Sequence, residues 1–205
     1  MIAIIDYGLG NLGSVQNILK KIGYRDSVIT SDHSTIKEAQ KLILPGVGSF
    51  DNGMKKLKDL GLTVLLREEI KSKSKPILGI CLGMQLMTNS SEEGVLPGLG
   101  FFDADTKKFN FTDGQLKLKI PHMGWNEVHF IADSPLLKNM EKENRFYFVH
   151  SYYVKCNDPG DVLITCNYGS EFTCGIQKDK IFGVQFHPEK SHRFGMQLMK
   201  NFVEL

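Results

Sequence analysis

The segment that most restricts this chain is Pro76-Ile77-Leu78-Gly79-Ile80-Cys81-Leu82-Gly83, an apolar strand that passes through a single residue into a helix. A strand-to-helix turn that sharp strains the backbone at its apex and crowds the neighbouring side chains. Small residues are therefore needed close by, and Gly79 and Gly83 stand two positions before and two after Cys81. Such a turn belongs at the carboxyl end of a sheet strand with a helix packed directly on the sheet, which makes an α/β architecture the first expectation.

The rest of the N-terminal half agrees. Apolar strands are expected over Ile2–Ile5, Ser27–Thr30, Lys41–Leu44 (stopped by Pro45-Gly46) and Pro76–Ile80. Between them lie helical spacings over Val15–Ile22, Ile36–Gln40, Met54–Leu60 and Val64–Ser72, and another runs from Leu82 to about Thr88. Strands alternating with amphipathic helices predict a mostly parallel central sheet flanked by helices on both faces. From about Gly100 the pattern changes. Strand-like runs follow one another over Leu116–Ile120, Asn126–Phe130, Arg145–Val154, Val162–Asn167, Thr173–Gln177 and Ile181–Phe186, and only Arg193–Val203 is helical again. Gly, Asp and Asn turns between them predict an antiparallel extension. No repeat or linker divides the chain, so one domain over residues 1–205 is expected.

Composition excludes several classes. With 205 residues, 41% hydrophobic and 23% charged, the chain can bury a sizeable core and is neither disordered nor a coiled coil. The formal net charge of +2, without a polybasic run, argues against nucleic acid as a partner. No stretch approaches the ~18 apolar residues of a membrane span, so no membrane is expected. The opening Met1-Ile2-Ala3-Ile4-Ile5-Asp6 has no basic n-region and does not read as a secretory signal. The four cysteines, at 81, 156, 166 and 174, therefore read as reduced thiols of a cytoplasmic protein. None forms CxxC or a Cys/His pair at zinc spacing, so no metal is expected.

Cys81 is the candidate nucleophile. A helix starting at Leu82 aims free N–H groups and its positive dipole end at the sulfur, which favours the reactive thiolate. A nucleophilic thiol needs a base, and the base needs an orienter. His187 ends the apolar run Ile181–Phe186, Pro188 blocks its continuation, and Glu189 can point to the same side as His187. Pro45-Gly46-Val47-Gly48, also after an apolar strand, can turn backbone N–H groups towards a ligand, and the N–H of Leu82 is the natural second donor of an oxyanion hole.

Gly79-Ile80-Cys81-Leu82-Gly83-Met84-Gln85 together with His187-Pro188-Glu189 resembles the class I (triad) glutamine amidotransferase family. Asp6-Tyr7-Gly8-Leu9-Gly10-Asn11-Leu12, Pro121-His122-Met123-Gly124-Trp125-Asn126 and His187-Pro188-Glu189-Lys190-Ser191 narrow the likeness to the glutaminase subunits of imidazole glycerol phosphate synthase. The resemblance spans the whole chain and implies the flavodoxin-like sheet of that class, with no cofactor. It implies glutamine as substrate, Cys81 as nucleophile, His187 as general base and acid, and Glu189 as orienter. It implies substrate contacts at Gly46, Val47, Gly48, Leu82, Gln85, His150, Ser151 and Tyr152. It also implies a heterodimer with a (β/α)8-barrel cyclase/synthase subunit, which receives the ammonia and docks on a face around Asn11, Pro121, Met123, Trp125 and Lys190. The product line so implied is imidazole glycerol phosphate with the AICAR by-product, in histidine biosynthesis.

Other readings stay open. Gly8-Leu9-Gly10-Asn11-Leu12-Gly13 fits GxGxxG after a strand, with Asp26 and Asp32 near the expected acidic position, as in a non-catalytic nucleotide-binding module. The resemblance assigns this loop to the partner-facing surface instead. The same glutaminase could feed a sugar amidotransferase for surface polysaccharide, because the triad handles only glutamine. A cysteine hydrolase or peptidase on the same elbow is more distant. Trp125, read alone, is a core anchor; Gly124 before it and Asn126-Glu127 after it also suit an interface anchor. Glycines on both sides of Val47 let its peptide turn either way, a possible gate on the oxyanion hole.

Overall fold

A computed structural model describes residues 1–72, 74–111, 118–141 and 143–205. The first part of the chain alternates β1 (Ile2–Ile5), α1 (Leu12–Lys21), β2 (Ser27–Thr30), α2 (His33–Glu38), β3 (Lys41–Gly46), α3 (Phe50–Asp59), α4 (Leu62–Arg67), β4 (Ile77–Cys81) and α5 (Leu82–Leu86). A π-helical turn, Glu68–Ser72, extends α4. Strands then dominate: β5 (Ser90–Ser91), β6 (Ala104–Lys108), β7 (His122–Phe130), β8 (Asn144–His150), β9 (Tyr152–Cys156), β10 (Val162–Tyr168), β11 (Ser170–Lys178) and β12 (Ile181–Val184), before α6 (His192–Glu204) closes the chain.

The strands form one mixed sheet in the order β2-β1-β3-β4-β12-β11-β10-β7-β8, with β9 branching from β11 and carrying β6 and β5. Pairs from β2 through β12 are parallel, and those from β12 through β8 are antiparallel. This is the expected parallel sheet with its antiparallel extension. β12 is the seam, parallel to β4 on one side and antiparallel to β11 on the other.

Strand periodicity divides the core. Ile2, Ile4, Ile43, Leu78 and Ile80 face α1 and α6, meeting Val15, Leu19, Leu198 and Phe202. Ala3, Ile5, Leu42, Leu44 and Ile77 face the other way, against Ile36, Phe50, Leu57, Leu65 and Leu86 of α2 to α5. Each fully buried Val, Ile, Leu or Phe among them contributes roughly 1.5–3 kcal/mol of transfer free energy. That burial holds the carboxyl ends of β3, β4 and β12 in place.

Several elements differ from expectation. β3 continues through Pro45 to Gly46, because Pro45 lies beyond Ile43, the last residue paired with β1, where a missing N–H is tolerated. Arg145–Val154 is two strands broken at Ser151, since β8 pairs with β7 whereas β9 leaves for β6 and β11. α5 ends at Leu86 rather than Thr88, whose hydroxyl turns back onto the Gln85 carbonyl. The strand expected over Leu116–Ile120 lies partly outside the described residues, and 118–120 form none. β5 and β6 were not expected; their polar runs, Ser90-Ser91 and Ala104–Lys108, carry no apolar stretch to announce them. Among the described residues no helix is long and apolar enough to cross a membrane.

Candidate active site

Cys81 ends β4 with φ +54° and ψ −111°, a strained left-handed apex for a side chain of this kind. The two glycines around it are required by close approach. A Cβ on Gly79 would sit 2.8 Å from the Met84 nitrogen, and one on Gly83 would overlap the Leu44 carbonyl of β3. The strain is carried by the packed strands on either side. The Cys81 sulfur is nearly buried, 3.9 Å from the Val149 carbonyl and 3.7 Å from Gln185 Nε2, which donates to it.

His187 follows the seam strand, and its backbone N–H donates to the Tyr147 carbonyl. Its Nδ1 lies 2.7 Å from Glu189 Oε1, and both side chains are buried. Ser191 Oγ donates to the His187 carbonyl and accepts from the Tyr147 N–H, which stiffens the His-Pro-Glu turn. Among the described residues Nε2 of His187 has no hydrogen-bond partner within normal geometry, yet Cys81 is close enough to act on the ring. Burial pushes the imidazole pKa down; hydrogen bonding and charge from Cys81 and then Glu189 outweigh it and raise it to about 10. The ring is thus held protonated at neutral pH between a sulfur and a carboxylate.

A cavity of about 390 Å³ opens over Cys81 and is lined by Val47, Gly48, Leu82, Gln85, Pro121, His150, Ser151 and Tyr152. The sequence predicts all of these as substrate contacts except Pro121, which it assigns to the docking face and which the structure places in the cavity wall. Gly46 is the exception among the residues expected to contact substrate: it is buried in β3, paired with Cys81, and forms no part of the described lining. Two further residues complete the wall, Val149 and Glu93. Glu93 is the only carboxylate among the described lining residues, and its Oε2 accepts from the Phe50 N–H at the start of α3. Nothing local in Ser90-Ser91-Glu92-Glu93-Gly94 sets it apart from an exposed turn; it gains its place only when β5 brings that segment beside α3. A larger cavity, about 550 Å³, lies around Lys75, Phe102 and Lys180 at the amino ends of β4 and β12. It is the wrong end of the sheet for the elbow, since sites in open α/β sheets form outside the carboxyl ends of strands.

The residues expected at a docking face are at the surface. Met123 and Trp125 alternate outward on β7 at 61% and 46% exposure, so Trp125 is no core anchor. Its ring stacks on His192 at 5.5 Å, and Lys190 lies 5.6 Å from the centre of the Tyr147 ring. Asn11 is exposed and caps α1 through the Ser14 N–H. Ser14 and Asn17 share a shallow cavity of about 230 Å³ with Glu189, Lys190 and His192. Among the described residues no group of His, Cys, Asp and Glu could hold a metal ion. The four cysteines are unpaired.

A family model described as glutamine amidotransferase class-I matches residues 3–205. The imidazole glycerol phosphate synthase subunit HisH 2 of Methanococcus maripaludis is 57% identical over 204 residues, covering 100% of this chain and 99% of its own. The subunit HisH 2 of Pseudomonas aeruginosa is 51% identical over 205 residues, with both chains covered completely. The HisH subunit of Leptospira interrogans is 47% identical, again over 100% of each. A solved glutamine amidotransferase superposes with TM-score 0.74 at 17% identity over 100% of this chain and 98% of that one. The PurLQS structure from Thermotoga maritima superposes with TM-score 0.72 at 16% identity, over 99% and 97%. These two speak to the fold alone. The family match from residue 3 to the last, with relatives this similar over their full length, means that the chain belongs to the class-I glutamine amidotransferase family.

Proposed function

We propose that residues 1–205 form one glutaminase domain that hydrolyses glutamine to glutamate and ammonia, as a subunit of imidazole glycerol phosphate synthase in histidine biosynthesis. The observation that carries the reading is Cys81 in the wall of a cavity, with the His187–Glu189 pair beside its sulfur and Glu93 as the only carboxylate among the described lining residues. A carboxylate there matches the α-ammonium of glutamine, while Gln85 offers its remaining amide capacity to the same substrate.

The chemistry follows from the geometry. The Cys81 sulfur attacks the side-chain amide carbon, and the carbonyl electrons move to an oxyanion met by the Leu82 N–H and the Val47–Gly48 peptide. His187, held protonated, gives its proton to the departing nitrogen; ammonia leaves and a glutamyl thioester remains. Acylation removes the sulfur's charge, one of the causes of the high His187 value. The ring can then take a proton from water, which attacks the thioester and releases glutamate. Glu189 holds the tautomer through Nδ1. The reading needs no cofactor.

The ammonia would pass to a (β/α)8-barrel synthase subunit docked on the face of Asn11, Pro121, Met123, Trp125 and Lys190; the relatives' names as subunits support a partner of some kind. A cytoplasmic setting suits four unpaired cysteines. A second reading is favoured by the number 2 in the names of the relatives from Methanococcus maripaludis and Pseudomonas aeruginosa: a numbered copy can serve a different acceptor, and supply to a sugar amidotransferase fits the same triad. The deciding experiment is steady-state glutamine hydrolysis by the pure chain, alone and with each candidate synthase and its acceptor. The proposal expects slow turnover alone and stimulation of about 100–1,000-fold by the histidine-pathway partner, the effect of completing an oxyanion hole. Turnover alone within threefold of the complex would remove the gate at Val47. Stimulation only by a sugar-modifying partner would replace the acceptor.

A further inference from the structure

In the cavity wall and behind it, two buried histidines that take no part in the bond-making steps, His150 of the lining and His122, face each other across β7 and β8. His122 Nδ1 lies 2.9 Å from His150 Nε2, and the two residues are register partners. His150 Nδ1 lies 2.7 Å from the Tyr152 carbonyl, and His122 Nε2 lies 3.2 Å from Asn126 Nδ2.

The direction of every proton in this row can be deduced. A carbonyl oxygen only accepts, so His150 carries its proton on Nδ1 and donates to Tyr152. In a neutral ring its Nε2 is then an acceptor, so His122 donates from Nδ1 and accepts at Nε2. The other end is pinned independently. Asn126 Oδ1 accepts from the Glu127 N–H and its Nδ2 donates to the Asn167 carbonyl, which leaves an amide proton, not an oxygen, for His122. Both ends therefore demand the same tautomers, and the row Asn126 to His122 to His150 to Tyr152 is fully satisfied only with both rings neutral. The surroundings agree: His122 is sandwiched between Phe148 at 4.7 Å and Tyr168 at 4.0 Å, Phe109 and Phe172 enclose His150, and burial lowers the pKa of His122 to about 4 and that of His150 to about 3.

The carbonyl that ends the row is shared. Gln85 Nε2 donates to it at 3.1 Å and to Gln185 Oε1 at 3.0 Å. Gln185 Nε2 in turn donates to the Cys81 sulfur. Both amide protons of Gln85 are thereby committed, and its oxygen is left for the cavity that Gln85 lines. We propose that His122 and His150 are positioning residues for glutamine: their tautomer-locked pair fixes the Tyr152 carbonyl, which sets the amide of Gln85 and with it the substrate subsite over Cys81. This deepens the glutaminase reading and rests on it.

The test is glutamine kinetics on the chain in complex with its synthase partner, with the melting temperature of each variant measured alongside. His150→Leu and His122→Leu remove the row. His150→Asn keeps an amide donor where Nδ1 stands, so it can still donate to Tyr152. The expected result is a KM for glutamine raised at least tenfold in either leucine variant with kcat within about threefold of wild type, and a KM restored to within threefold in His150→Asn. A leucine variant that melts near wild type with native KM overturns the proposal. So does a His150→Asn protein that melts near wild type yet has a KM as high as the leucine variants, and this comparison stands even where a leucine variant does not fold. Absence of glutamine hydrolysis in the wild-type complex would sink the glutaminase reading itself, whereas wild-type turnover with indifferent variants sinks only the role of the histidine pair.

Discussion

The two halves of the sheet solve different problems. Strands β1 to β4 are short, apolar and covered by helices on both faces, and they put one reactive atom, the Cys81 sulfur, at a strained apex. Strands β7, β8, β10 and β11 are longer; β7 and β8 alternate buried residues with less buried ones and carry aromatic and imidazole rings inward, with Trp125 and Met123 outward. A sheet buried on both faces cannot present a partner surface, and a half-exposed sheet holds a strained nucleophile less firmly. The comparison teaches that reactivity was built where packing is densest, and recognition where one sheet face is free. β12 joins the two, which is why His187 and Glu189, just beyond it, can reach both the sulfur and the surface around Lys190 and His192.

That division can be broken most forcefully at Cys81. Cys81→Ala should lower glutamine hydrolysis at least about a thousandfold while partner affinity and melting temperature stay near wild type. Retention of a tenth of the activity would mean that the parallel half does not hold the nucleophile. The mirror experiment is Trp125→Ala. Losing a half-exposed aromatic anchor should weaken partner binding by about 2 kcal/mol, roughly thirtyfold, with little change in the melting temperature of the free chain. A large fall in melting temperature with native affinity per folded molecule would return Trp125 to the core.

The seam is sharpened by pH. The folded value of His187, about 10, lies above the ordinary imidazole value of 6.5. A raised value favours the protonated ring in the folded state, so its stabilisation is complete below the ordinary value and is lost as pH rises through about 10. Glu189→Gln removes one of the groups responsible. The stability gap between wild type and Glu189→Gln, about 1.5 kcal/mol for a charge-assisted hydrogen bond, should be widest near pH 6 and close as pH approaches 10. Denaturant melts across that range would show it, and a gap that widens with pH would contradict the assignment. The smallest effect is expected at Tyr7, whose buried hydroxyl beside Gly46 has no hydrogen-bond partner among the described residues. Tyr7→Phe should leave stability unchanged or raise it by up to about 1 kcal/mol, with glutamine kinetics unaltered. A tenfold loss of activity would instead put that hydroxyl to work on the Gly46–Gly48 segment.

The alternation of the first half, the elbow and the His-Pro-Glu turn were legible in sequence because each is written in neighbouring residues. Apolar period, turn chemistry and proline stops need no distant partner. The apolar strands of the second half were legible as strands, whereas polar β6 was not, nor was the split at Ser151, because it arises from two halves of one apolar run choosing different neighbours. Glu93 and Gln185 carried no local signal either; one is a turn residue and the other reads as part of a core strand.

By itself, then, the sequence determined an α/β sheet with a cysteine at a strand-to-helix apex and a histidine and glutamate at the end of another strand. Only the tertiary structure decided that these ends are neighbours. β12 inserts parallel to β4 across roughly a hundred residues of intervening chain, which brings the His187 ring beside the Cys81 sulfur. The same strand order faces His122 with His150 and delivers Glu93 to the cavity wall. Strand order is set by which faces can be buried together across the whole sheet, a global balance of packing that no local window of residues contains.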